Sequence, residues 1–180
     1  MPDDHETFRR GAEHFAGARL ELAEDEGAAW VLTADGHRLG ALHWDPRTDA
    51  RWDAVSASGR WAFEWHGRWP RRFFARDEDG EPAAWFVGRR LRRGGDVVLA
   101  DGTGADLRPL LRPGRWGLDA DGGERLATLA HQGSGAGAPI AVELERAAAG
   151  HPALTMVLLT ACAVVRLDRA YSAAGGGGGD

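Results

Sequence analysis

Pro152-Ala153-Leu154-Thr155-Met156-Val157-Leu158-Leu159-Thr160-Ala161-Cys162-Ala163-Val164-Val165 is a run of fourteen residues without a charge. Pro152 suits the first turn of a helix, where its missing N–H costs nothing. Arg166 and Arg169 follow, where positive charge complements a helix dipole. The apolar residues form no stripe; they cover every face, so such a helix must be buried all round. Fourteen helical residues span about 21 Å, whereas a bilayer core needs roughly twenty residues. The run therefore reads as the interior of a protein, with the Thr155 and Thr160 hydroxyls bonded back to the helix's own carbonyls.

What surrounds that helix is set by the preceding residues, which are punctuated by turn signals. Asp35-Gly36, Ser58-Gly59, His66-Gly67, Asp79-Gly80, Gly94-Gly95, Asp101-Gly102, Pro113-Gly114 and Asp121-Gly122 each supply a residue tolerant of positive φ. Between them apolar residues alternate. Trp61, Phe63 and Trp65 share one face and Ala62 and Glu64 the other; Leu20 and Leu22 oppose Arg19 and Glu21; Ile140, Val142 and Leu144 alternate with Ala141 and Glu143. This predicts about ten to twelve short strands. That is too many for one open sheet, and closure removes exposed edges. The fold expected is mostly β, a closed antiparallel barrel around a buried C-terminal helix at about 152–169. Residues 1–17 read as a lead-in, either a short helix or a loose segment, 18–171 as a single domain, and 172–180 as a disordered glycine-rich tail.

Composition narrows the function. All 22 basic residues are arginine, none is lysine, and the net charge is −5. The arginine usage, with the excess of alanine and glycine, fits a bacterial genome rich in G and C. The negative charge argues against general nucleic-acid binding. A single cysteine, Cys162, rules out an intrachain disulfide framework. The start, Met1-Pro2-Asp3-Asp4-His5-Glu6, has no apolar run, so no signal peptide is expected and a cytoplasmic location is.

A meander of about twelve strands closing on a hydrophobic C-terminal helix resembles the tubby-like superfamily. That group holds the tubby C-terminal domain, the phospholipid scramblases and the LURP-one-related proteins. The residues carrying the resemblance are the Asp35-Gly36, Asp79-Gly80 and Asp121-Gly122 hairpins and the His151-Pro152-Ala153-Leu154 approach to the helix, over roughly residues 18–171. The resemblance implies binding, not catalysis: tubby domains bind phosphoinositide headgroups through basic side chains on the barrel wall. With no lysine in this chain, such a site rests on arginine.

The residues themselves offer little chemistry. The seven histidines have no metal-ligand spacing; His37 and His43 share one strand but lack a third ligand. Cys162, amid Leu and Ala, reads as a buried structural thiol. No serine sits in a nucleophile elbow, and Gly133-Ser134-Gly135-Ala136-Gly137 reads as a loop, not a phosphate cradle. No catalytic residue, metal or cofactor is expected. Local charge does stand out. From Arg60 to Arg93 there are nine arginines against five acids, interleaved with aromatics, while residues 1–30 hold eight acids against three arginines. Arginine's planar fork suits phosphate. The candidate ligand-binding residues are Arg68, Arg71, Arg72, Arg89, Arg90, Arg92 and Arg93, flanking the Asp79-Gly80 turn. The function expected is a non-enzymatic module for an anionic ligand such as a phospholipid headgroup, peripheral at the membrane. The alternative is a protein-interaction scaffold with no small ligand, these arginines being only a solvated face.

Overall fold

The computed structural model describes residues 8, 10–25, 29–44, 51–66, 72–89, 93–135, 137–151 and 153–175. Twelve strands follow in chain order: β1 (Arg19–Asp25), β2 (Ala29–Ala34), β3 (His37–Trp44), β4 (Arg51–Ser56), β5 (Gly59–His66), β6 (Arg72–Arg76), β7 (Pro82–Gly88), β8 (Gly95–Leu99), β9 (Gly104–Pro109), β10 (Arg115–Ala120), β11 (Arg125–His131) and β12 (Ile140–Leu144). Each pairs antiparallel with its neighbours, and β1 closes on β12, Leu20 opposite Val142 and Leu22 opposite Ile140. Among the described residues the one α-helix, α1 (Leu154–Gly175), comes last.

The two periodicities of the sequence meet inside the barrel. Leu20 and Leu22 from β1, Phe63 from β5, Phe73 from β6, Leu107 from β9, Leu118 from β10 and Leu129 from β11 converge on the helix. Every helical residue from Leu154 to Val165 is buried, which is why no polar stripe was left in that run. The helix passes so close to β3 that a β-carbon on Gly40 would lie 2.9 Å from Leu159 Cδ1 and 3.0 Å from the Val55 carbonyl. A smaller apolar cluster lies apart from this core: Phe8 covers Ala29, Val31, Ala41 and Val55 of β2, β3 and β4. Among the described residues no helix is long and apolar enough to cross a membrane.

Several local expectations change. Among the described residues the lead-in forms a 3-10 turn at Ala12–Phe15, ended by Gly17 at φ +85°; residues 1–7 and 9 lie outside them. Thr160 does bond back to the Met156 carbonyl at 2.8 Å, but Thr155 Oγ1 accepts the Ala12 amide at 2.8 Å instead, pinning the lead-in to the helix. Pro152 lies outside the described residues, and the helix begins at Leu154. It also runs on through Ser172-Ala173-Ala174-Gly175, beyond the expected 169 and into the segment read as tail, since alanine is the best helix former. Arg166 and Arg169 therefore sit short of its last turn and do not cap its dipole. Asp35-Gly36 is a two-residue turn, with φ +48° and +77°. At Asp121-Gly122 the positive φ falls on Gly123 instead, within a four-residue connection, 121–124.

Up-and-down closure gives the barrel two unlike ends. The 3-10 turns Ala12–Phe15 and Arg146–Gly150 lie where α1 begins, and we call this the cap end. Strands β1, β3, β5, β7, β9 and β11 finish at the opposite end, the mouth, where the later part of α1 emerges.

Candidate functional site

The mouth holds a cavity of about 330 Å³ lined by Arg93, Gly114, Trp116, His131, Ser134, Asp168 and Arg169. Each lining residue arrives by the logic of its own element. Ala127 and Leu129 of β11 face the core, and His131 is the next residue of that inward series, at the strand's last position. Trp116 occupies the equivalent inward place near the start of β10 and is buried. Asp168 and Arg169 follow the apolar run of α1, where the helix reaches the barrel rim. Arg93, from the β7–β8 connection, lies with its guanidinium carbon 5.4 Å from the Trp116 ring centroid and both engages and pairs with the Asp168 carboxylate. That hydrogen bond holds the Arg93 guanidinium above its ordinary pKa, against the cost of burial. Arg169 donates through Nη2 to the Gly133 carbonyl at 2.9 Å.

His131 is the least settled group here. Its pKa is pushed below the ordinary histidine value, first by burial, then by the positive charges of Arg169 and Arg166; the Val165 carbonyl and Asp168 oppose them. The Val165 carbonyl faces the ring, yet among the described residues neither ring nitrogen closes a hydrogen bond. Nearby, the Arg166 guanidinium carbon lies 3.1 Å from the Trp30 ring centroid. Burial brings its pKa down to about 10, and its Nε and Nη1 have no hydrogen-bond partner among the described residues. Cations therefore outnumber anions around the mouth cavity.

Of the seven arginines singled out in the sequence, Arg68, Arg71, Arg90 and Arg92 lie outside the described residues. The other three diverge. Arg93 lines the cavity. Arg89 lies against the wall formed by β8 and β9, bridging Asp96 at 3.1 Å and Asp106 at 2.8 Å. Arg72 is exposed at the start of β6, opposite His66 and Val87. Asp77 holds its own turn, accepting the Asp79 and Glu81 amides at 3.1 and 2.9 Å. His131, Ser134, Trp116, Asp168 and Arg169 were not anticipated. The sequence did carry a signal for His131, a polar residue continuing the inward series of β11.

Other features are structural. Asp119 of β10 is nearly fully buried between Arg108, at 2.6 Å, and Arg125, an ion pair that fixes β9, β10 and β11 together. A hollow of about 510 Å³ at the cap end is lined by Glu124, Arg125, Glu145 and Arg146, whose charges balance. Cys162 is fully buried and its thiol pushed up to about 12 by burial. His37 and His43 belong to β3 as expected, near its opposite ends, and among the described residues no cluster of three metal-ligating side chains occurs. No family model, curated protein or solved structure matches this chain.

Proposed function

We propose that this protein is a non-enzymatic binding module whose mouth faces an anionic ligand, such as a phospholipid headgroup. The observation that carries this reading is the sorting of charge by the barrel's topology. Cap-end connections between strands hold Asp35, Asp77, Glu78, Asp79, Glu81, Asp101, Asp121 and Glu124 and no arginine. Among the described residues, the segments joining strands at the mouth hold Arg89, Arg93 and Arg112 and no acid, although Arg89 is engaged by Asp96 and Asp106 of the wall. In a molecule of net charge −5 the described connections are thus sorted by sign between the two ends, which favours turning the mouth toward an anionic surface. Leu111, fully exposed beside Arg112 in the β9–β10 connection, adds an apolar contact of the kind that enters a lipid interface. The resemblance to the tubby-like superfamily supports the same ligand class.

Sedimentation with vesicles tests this. Binding to vesicles containing phosphatidylglycerol, and not to neutral phosphatidylcholine, is expected at low salt. It should weaken steeply as the screening length falls to about 8 Å at physiological ionic strength. Arg112→Glu should weaken binding, while Glu81→Arg at the cap end should not. Equal loss from both substitutions overturns the oriented mouth. No binding at low salt overturns the headgroup assignment in favour of a protein-interaction scaffold.

A further inference from the structure

The mouth cavity has the makings of a more selective site than charge sorting requires. At about 330 Å³ it has room for a small oxyanion and a few waters, a water taking about 30 Å³ of liquid volume. Its walls offer Arg93 and Arg169 as cations, the Ser134 hydroxyl as a neutral donor and Trp116 as an apolar wall. Arg93 is held in place from two sides, by the Trp116 ring and by Asp168. Its planar fork has more donors than that pair uses. The charged groups facing His131 are Arg166, Asp168 and Arg169 from α1 and Arg93 from the β7–β8 connection; the β11–β12 connection brings Ser134 and no charge.

We propose that the mouth cavity is a site for a tetrahedral oxyanion, held by Arg169 and Arg93, with His131 taking up a proton from solvent as the ligand binds. Partial burial and the neighbouring cations disfavour the imidazolium before a ligand binds. A dianion reverses the second condition, because it lies among those cations and supplies the charge that imidazolium lacks. Protonation turns the second ring nitrogen into a donor, so the same event adds a charge-assisted hydrogen bond to the ligand. The ligand class is therefore a sulfate or phosphomonoester group, free or carried on a lipid. The site rests on the anionic-ligand reading only for the sign of its charge.

Calorimetric titration with sodium sulfate tests it, because sulfate stays dianionic between about pH 5 and 8, where histidine titrates. Any pH dependence then belongs to the protein. Affinity should rise as pH falls, by up to about tenfold per unit, with uptake of about one proton per sulfate. Proton uptake is read on the wild type, from titrations in two buffers of different ionisation heat. His131→Gln should flatten the profile and abolish the proton uptake, and Arg169→Gln should lose binding throughout. Absence of saturable sulfate binding, or a pH profile that survives His131→Gln, overturns the site. Competition separates the two sources. Sulfate that displaces the protein from anionic vesicles identifies a lipid-borne oxyanion; sulfate that binds without displacing it identifies a soluble one. Vesicle binding without sulfate binding overturns this site and leaves the charge-sorted mouth standing.

Discussion

Ala153 stands at φ +49° immediately before α1, a left-handed conformation that its β-carbon opposes. The chain accepts it because it must turn from the 3-10 segment Arg146–Gly150 into a helix held on every side by strands. Ala153 is exposed, so its side chain contributes no packing to offset that strain. Ala153→Gly should therefore raise stability by about 1 kcal/mol, partly reduced by the greater freedom of glycine in the unfolded chain. Thermal melting would register this as a rise of a few degrees, and a fall would show that the strain is absent. His131 predicts a pH effect of defined sign. Its folded pKa lies below the ordinary value, so its contribution is fully present above about pH 6.5 and is lost as pH falls toward the folded value. Urea unfolding on both sides of that window should show stability falling with acid, by less in His131→Gln than in the wild type.

The helix and the strands around it depend on each other for burial. α1 has no face suited to water between Leu154 and Val165, and among the described residues no other element fills the barrel's centre. Leu158 is fully buried in that packing. Leu158→Asp places a charge there with no partner, at a cost of several kcal/mol, so the variant should be recovered unfolded or aggregated. A soluble variant with the wild-type melting temperature would show that the helix is not the core. The same packing explains Gly40: any side chain there would displace Leu159 or the Val55 carbonyl. Strand alternation was legible in sequence because a half-buried strand must alternate with period two. The helix was legible because burial on all faces leaves a charge-free run. Its end was not, because Ser172-Ala173-Ala174 is a sequence that helix propensity favours and composition alone assigned to a tail.

At the scale of the whole molecule, closure by β1 against β12 removes every sheet edge. Deleting residues 1–25 would take away β1 and the Ala12–Thr155 tie, exposing β2 and β12 as unpaired edges. Such a chain should aggregate on size-exclusion chromatography, and a stable monomer would show that the barrel closes without its first strand. Up-and-down order also collects the acidic connections at 77–81, 101–103 and 121–124 at one end and the connections bearing Arg89, Arg93 and Arg112 at the other. Which connections share an end follows only from strand order, since successive connections alternate between the two ends. The candidate site lies further still from local reading. Arg93 meets Asp168 across 75 residues and Arg169 meets Gly133 across 36, while Arg89, adjacent in sequence to the same cluster, bonds Asp96 and Asp106 on the outer wall. By itself, then, the sequence determined the strands, the buried helix and their closed arrangement, because period and polarity are local consequences of which faces meet water. Only the tertiary structure decided which arginines are paired, that Thr155 holds Ala12, and that His131 opens onto a cationic cavity. Those outcomes depend on register and closure between distant strands, where a shift of one residue would turn each side chain to the other face.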